Sequence, residues 1–153
     1  GAPNHVLGVF SADLLEPMAQ VLEQLGAKHV MVVHADDGLD EISIQGETSV
    51  AELKNGKLSS YKISPQQFNM ASTVLDKIKV ENAQQSLSLM NSVFDNTDSP
   101  AKDIVILNAG ATCYVAGLAK DLDSGIKTAT EAISSGNAKQ TFANLISVSQ
   151  SFG

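Results

Sequence analysis

The stretch HVLGVFSADLLEPMAQVLEQLGAKHVMVV, residues 5–33, decides the fold. It begins and ends with short apolar runs that are typical of buried strands. Between the runs, large apolar side chains recur at helical spacing: Leu14, Met18, Leu22 and Leu25. Ser11 is placed to cap this helix and Gly26 to end it, so that Pro17 would fall in the second turn and bend the helix. Strand, helix and strand predict a βαβ unit with parallel strands and a right-handed crossover.

Four carboxylates follow the second strand within HADDGLDEIS, residues 34–43: Asp36, Asp37, Asp40 and Glu41. This segment leaves the carboxyl end of a parallel strand, the edge at which open α/β sheets bind ligands. Two interpretations stay open from the residues alone. The acids form a solvated turn, or adjacent Asp40 and Glu41 bind Mg²⁺, which takes one or two carboxylates together with phosphate oxygens. The spacing does not match an EF-hand loop, and His34 is the nearest residue suited to zinc.

A hairpin follows the acidic segment. Residues 41–44 alternate between polar and apolar side chains and predict one more short strand. Asn55-Gly56 then predicts a tight type I′ turn between two strands. The register of that turn places two pairs of residues opposite each other: Leu53 with Leu58, and Val50 with Tyr61.

The second half of the chain is predicted to be helical. One helix, over about residues 81–95, is followed by a long apolar helix that Pro100 begins and that covers residues 101–119. Its IVIL segment, residues 104–107, fits a buried strand equally well. Asp123 predicts the start of another helix, and the last helix would present three apolar side chains: Phe142, Leu145 and Ile146.

The composition is that of one domain, with 153 residues and 43% hydrophobic residues. A net charge of −7 and the absence of any basic cluster exclude a nucleic-acid partner, and no apolar run is long enough for a membrane span. Cys113 is the single cysteine, which fits a reducing compartment, and we expect the cytoplasm. Arg is absent, and so is a phosphate-cradling glycine loop, which leaves backbone N–H groups, Lys or a metal to hold phosphate.

Several motifs resemble the anthranilate phosphoribosyltransferase family. HADDGLDEIS is similar to the family's H-G-x-D-G-L-D-E signature, with Ala35 in place of the usual Gly. Residues 46–68 resemble its T-x-V-x-E-L-x-x-G stretch. Residues 106–138 resemble its L-N-A-x-x-x-L-Y-V-A-G and A-x-x-x-I-x-S-G-x-A patterns, so that the resemblance extends over essentially the whole chain.

The resemblance implies the C-terminal part of that enzyme, over residues 1–153, as a single α/β domain. The fold would be a central mixed, largely parallel sheet flanked by helices, like a truncated C-terminal domain of nucleoside phosphorylases and phosphoribosyltransferases. The family's helical N-terminal domain, its G-T-G-G-D phosphate loop and its Arg that helps to place anthranilate have no counterpart here. The complete enzyme would be a homodimer.

The same resemblance implies transfer of the 5-phosphoribosyl group from phosphoribosyl pyrophosphate to anthranilate, with release of pyrophosphate, in tryptophan biosynthesis. Asp40 and Glu41 match the family's metal-binding pair: Glu41 would contact both of two Mg²⁺ ions and Asp40 one. Asp36 and Asp37 would form the turn or support it. No catalytic or substrate-binding residue is assigned within the chain. The alternatives are a pyrimidine nucleoside phosphorylase of the same fold, which would not need the acidic pair, and a non-catalytic α/β fragment.

Overall fold

The computed structural model describes residues 2–152. Within that range one four-stranded sheet has the order β1-β2-β3-β4, with strands β1 (Asn4–Gly8), β2 (His29–Ala35), β3 (Thr48–Lys54) and β4 (Lys57–Ile63). The α-helices are α1 (Leu15–Gln24), α2 (Ala83–Phe94), α3 (Pro100–Val115), α4 (Leu122–Ser134) and α5 (Asn137–Gln150). None of the helices in this part of the chain combines the length and the apolar character that crossing a bilayer requires.

The predicted βαβ unit is present as β1, α1 and β2. Strands β1 and β2 are parallel, whereas β2 pairs antiparallel with β3 and β3 pairs antiparallel with β4. The sheet is therefore mixed, as expected, but it is not largely parallel over the described residues. The reason lies in the connections, because only the first one contains a crossover helix, and a loop and a hairpin can join neighbouring strands only in antiparallel order.

Pro17 lies in the first turn of α1 and not in the second turn, where it was predicted to bend the helix. A 3₁₀ turn at Ala12–Leu14 precedes α1, and Ser11 caps that turn without a side-chain hydrogen bond. Because α1 begins at Leu15, Pro17 is its third residue. The N–H groups of the first turn have no partner within a helix, so proline is tolerated there.

The hairpin of β3 and β4 has the predicted register, with Leu53 opposite Leu58 and Val50 opposite Tyr61. The strand expected at residues 41–44 is absent from the structure. Ile42 and Ile44 are buried, as in a strand. Their backbone groups, however, bond to side chains and to Thr73 instead of a neighbouring strand.

The IVIL segment, residues 104–107, which also fitted a buried strand, lies within helix α3. Pro100 is its first residue, and the Ser99 side chain caps it by accepting a hydrogen bond from the Lys102 N–H. Helix α4 starts two residues earlier than expected, because Asp121 and Ser124 form a capping box in place of a cap at Asp123.

Apolar side chains are buried on both faces of the sheet. One face packs against α1 through a cluster that includes Val30, Val32 and Leu53. The other packs against α3 and α4 through a larger cluster that includes Met31 and Leu107. Each such side chain contributes about 1.5–3 kcal/mol of burial free energy.

The last two helices differ in how closely they pack. Helices α3 and α4 approach closely at Gly110, where an added Cβ would lie 2.6 Å from the Ile126 side chain. Helix α5 is peripheral. Its Phe142 stacks on Phe94 at 4.8 Å between ring centroids, while Leu145 and Ile146 are exposed.

Candidate metal centre

The acidic loop, residues 36–47, joins β2 to β3 at the edge of the sheet where β1 and β2 end. Its first turn is closed by a hydrogen bond from the Gly38 N–H to the Ala35 carbonyl oxygen at 2.9 Å. Gly38 has a φ of +93°, which glycine adopts without strain. The loop thus lies at the sheet edge that the sequence predicted for a ligand site.

Asp36 and Asp37 belong to the base of this loop. Asp37 accepts hydrogen bonds from the Leu39 N–H, at 3.2 Å, and from the Ser43 hydroxyl. Asp36 forms an exposed ion pair of 3.0 Å with Lys62, which also pairs with the carboxylate at the end of the loop. Both residues therefore shape the loop and lie outside the cavity described next.

Asp40 and Glu41 line one polar cavity at the tip of the loop. Its volume is about 210 Å³, and the rest of its lining is Val6, Gly8, Val33, Asn108 and Thr112. Both acidic residues are exposed. The cavity lies between the ends of the parallel strands and α3, and it brings together the two residues that the sequence selected.

Gly8 sets the position of Asp40. A Cβ added at Gly8 would lie 1.5 Å from the Asp40 carbonyl oxygen, so the loop backbone occupies space that any other residue would need. Sequence reasoning treated Gly8 only as part of an apolar strand. A glycine inside a strand pattern does signal a close backbone approach, and that signal was available.

Asn108 on α3 holds the backbone that follows Glu41. Its Oδ1 accepts a hydrogen bond from the Ile42 N–H at 3.0 Å, and its Nδ2 donates to the Ile42 carbonyl oxygen at 2.9 Å. Sequence reasoning assigned no role to Asn108. The available signal was an amide within the apolar run IVILNAGA, because a polar side chain withdrawn even partly from water needs partners.

The donor set fits magnesium better than the other common metals. Among residues 2–152, no group of three or more His, Cys, Asp or Glu side chains is arranged to hold a metal ion. A closed zinc or calcium cage is therefore not formed by these residues alone. Two adjacent carboxylates beside an open polar cavity suit a cation that keeps waters and shares phosphate oxygens with its protein ligands.

The histidines lie outside the cavity and are hydrogen-bonded elsewhere. His29 Nε2 is 2.8 Å from Glu52 Oε1, and the hydroxyl of Tyr61 donates to the other carboxylate oxygen at 2.9 Å. His34 Nδ1 is 2.8 Å from the Val9 carbonyl oxygen. The ring of His29 also packs edge-on against Tyr114 of α3. These contacts give His29 and His34 structural roles.

The model of the family described as "Glycosyl transferase family, a/b domain" matches residues 1–139. The chain belongs to this family. A curated relative, anthranilate phosphoribosyltransferase of Thioalkalivibrio sulfidiphilus, is 52% identical over 151 residues. The alignment covers 99% of this chain and 45% of that relative, so the chain spans less than half the length of the relative it matches.

Solved structures of two anthranilate phosphoribosyltransferases have the same fold. Anthranilate phosphoribosyltransferase from Thermus thermophilus superimposes with a TM-score of 0.85 at 34% identity, covering 95% of this chain and 43% of that one. The enzyme from Saccharomyces cerevisiae in complex with PRPP and Mg gives a TM-score of 0.83 at 25% identity. The match covers 95% of this chain and 42% of that one. The resemblance inferred from the motifs is thereby confirmed, as is a mixed sheet flanked by helices.

Proposed function

We propose that this chain is the C-terminal part of a Mg²⁺-dependent anthranilate phosphoribosyltransferase, as a single domain over residues 1–153. The complete enzyme would transfer the 5-phosphoribosyl group from phosphoribosyl pyrophosphate (PRPP) to anthranilate, as a homodimer. The single cysteine supports a reducing compartment such as the cytoplasm. The observation that carries the proposal is the cavity that Asp40 and Glu41 line together at the ends of the parallel strands.

A chain without Arg needs bound cations to hold a pyrophosphate substrate, and Asp40 and Glu41 supply the negative charge that would bind them. Two carboxylates repel a phosphate group by themselves, so their use in this cavity is to hold cations that the substrate oxygens share. Glu41 would contact both of two Mg²⁺ ions, and Asp40 one of them. Bound magnesium would stabilise the charge that accumulates on the departing pyrophosphate.

The chain's own residues would keep the two carboxylates in a fixed place during the reaction. Breaking the bond to pyrophosphate gives the ribosyl carbon oxocarbenium character, as in other glycosyl transfers. Carboxylates that are already held in place need no reorganisation when positive charge develops on the ribosyl carbon and negative charge on the pyrophosphate. The contacts of Gly8 and Asn108 with the loop backbone supply this preorganisation.

The experiment is a comparison of Asp→Asn and Glu→Gln substitutions in the full-length enzyme. Asp40→Asn and Glu41→Gln each remove a charge from the cavity and should raise the Mg²⁺ concentration for half-maximal rate by about tenfold or more. Asp36→Asn is the matched control, because it changes a carboxylate of the same loop outside the cavity. Unchanged magnesium dependence in both cavity variants would overturn the proposal.

The acidic pair also separates the transferase from the alternative enzyme. A pyrimidine nucleoside phosphorylase uses inorganic phosphate and would not need the pair at this edge. The relative of 52% identity and the structural matches bear the name anthranilate phosphoribosyltransferase, which favours the transferase. Phosphorolysis of a pyrimidine nucleoside by the full-length protein, without transfer to anthranilate, would favour the phosphorylase instead.

A further inference from the structure

We infer that Asn108 is the positioning residue of the acidic pair: its side-chain amide fixes the loop backbone so that Asp40 and Glu41 bind their cation. The inference rests on the proposed function. Asn108 lines the cavity beside both acids, yet its polar atoms are engaged with backbone groups. It therefore acts on the cavity through the loop.

The contact is a two-point clamp on one residue. The Ile42 N–H donates to Oδ1 at 3.0 Å, and the Ile42 carbonyl oxygen accepts from Nδ2 at 2.9 Å. Ile42 is 2% exposed, so water does not replace these bonds without an opening of the loop. Since Ile42 follows Glu41 directly, fixing its two backbone groups fixes where the Glu41 side chain starts.

The orientation of the amide is determined by helix α3. Nδ2 also donates to the carbonyl oxygen of Ile104 at 3.0 Å, one turn earlier in the helix. Nδ2 thus donates to two carbonyl oxygens, and Oδ1 accepts from one N–H group. Exchanging the positions of Nδ2 and Oδ1 would break all three bonds. The clamp is consequently rigid, because the buried core holds α3 in place.

Gly8 provides the opposing contact. The Asp40 carbonyl group lies against Gly8 on β1, and Asn108 grips Ile42 from α3. The acidic pair is therefore held on both sides by elements that are far apart in the sequence. Ligands that are placed in advance lose less conformational freedom when the cation binds, so releasing one side weakens binding.

The test is Asn108→Ala in the full-length enzyme. Binding of Mn²⁺, as a paramagnetic substitute for Mg²⁺, is measured by electron paramagnetic resonance in the presence of PRPP. The Mg²⁺ dependence of kcat and of the KM for PRPP is measured alongside. We expect the Mn²⁺ dissociation constant to rise about tenfold or more in folded protein, with the KM for PRPP rising unless Mg²⁺ is raised too.

Val115→Ala is the matched control. It shortens a buried side chain of the same helix, two turns and about 10 Å further on. It should lower thermal stability and leave the Mn²⁺ dissociation constant unchanged. Wild-type Mn²⁺ binding by Asn108→Ala overturns the inference, and so does weakening of equal size in Val115→Ala, since a general loss of stability would then account for the effect.

Two further measurements keep the outcome decisive. If Asn108→Ala does not fold, hydrogen exchange of the Ile42 amide in the wild type replaces it: slow exchange supports the clamp, and exchange as fast as in an open loop overturns it. If Asp40→Asn and Glu41→Gln weaken Mn²⁺ binding but Asn108→Ala does not, only the positioning role fails. If none of the three variants changes binding, the proposed function fails as well.

Discussion

Gly8 lies beside the acidic loop and Gly46 lies within it, and the space around the two glycines differs. At Gly8 an added methyl group would overlap the Asp40 carbonyl oxygen, at 1.5 Å. At Gly46 an added methyl group would meet nothing within 4 Å. The two positions therefore separate the effect of moving the loop from the general effect of replacing a glycine.

Gly8→Ala should displace Asp40 and weaken both the fold and the proposed metal centre. We expect a loss of about 1–3 kcal/mol in the free energy of unfolding, the usual range for overpacking, and a higher Mg²⁺ requirement in the full-length enzyme. Gly46→Ala should stay within about 0.5 kcal/mol of the wild type, as surface substitutions do. Urea unfolding and magnesium titration check both variants, and equal behaviour of the two would contradict the contact with Asp40.

At the scale of single residues, the charged residues of the site could be predicted from the sequence, but the residues that position the loop backbone could not. Asp40 and Glu41 were adjacent acids after a strand, and the family resemblance matched them to a metal-binding pair. Asn108 and Gly8 act through contacts with residues 66 and 32 positions away, between Asn108 and Ile42 and between Gly8 and Asp40. No local pattern reports such a contact, although an amide within an apolar helix and a glycine in a strand both indicate that one exists.

Between elements, a polar network joins three strands to α3 on one face of the sheet. Glu52 of β3 is 8% exposed and contacts His29 of β2 and Tyr61 of β4. Tyr114 of α3 packs against the His29 ring and accepts a hydrogen bond from Lys54 at 3.0 Å. The network thus connects elements that the apolar core also holds together.

The network predicts how the fold responds to acid. Burial raises the pKa of Glu52, but the hydrogen bonds from Tyr114, His29 and Tyr61 lower it by more, so its pKa lies below the usual 4.5. A carboxyl group whose pKa is lower in the folded state stabilises the fold above its unfolded pKa, and this contribution disappears as the pH falls through the folded pKa. Stability should therefore drop below about pH 4.5, where the unfolded carboxyl takes up its proton.

Glu52→Gln removes the titrating group and should give a shallower fall of unfolding free energy with decreasing pH. Urea unfolding between about pH 6 and pH 3 measures the slope. Glu23→Gln, at an exposed position of α1, is the control and should follow the wild type. A variant at Glu52 with the full wild-type slope would show that other groups cause the acid sensitivity.

Most elements were predictable because each has a local signal. Asn55-Gly56 fixed the hairpin register, and Pro100 marked the start of α3. Residues 41–44 were misassigned as a strand because buried Ile42 and Ile44 alternate with polar residues there, as they would in one. Their backbone partners are side chains and a distant loop, and such partners leave no periodic pattern.

As a whole, the molecule is an α/β layer that spans about 45% of the length of the Thioalkalivibrio relative. The mixed sheet between α1 and the α3–α4 pair was predictable as a class from the βαβ unit and the helical second half. The balance of parallel and antiparallel pairs was not, because resemblance to a larger fold does not say which of its strands this chain contributes. The acidic pair has no Arg or glycine-rich phosphate loop beside it in this chain.

We therefore expect the 153-residue chain to show little or no transferase activity alone. Carboxylates and cations without phosphate donors do not hold PRPP in a reactive position. The measurement follows the fluorescence of anthranilate with purified chain, PRPP and Mg²⁺, and the full-length enzyme serves as the positive control. Steady consumption of anthranilate by the chain alone would contradict this expectation, and with it the proposal that the phosphate donors lie outside this chain.

The clamp between Ile42 and Asn108 has a consequence for how the protein is made. A ribosome synthesises the acidic loop 66 residues before the side chain that fixes it. At about 5–20 residues per second, the loop waits roughly 3–13 seconds for its partner to exist. During that interval the nascent segment carries its negative charge on an unconstrained backbone, so the proposed cation site would form only when α3 docks.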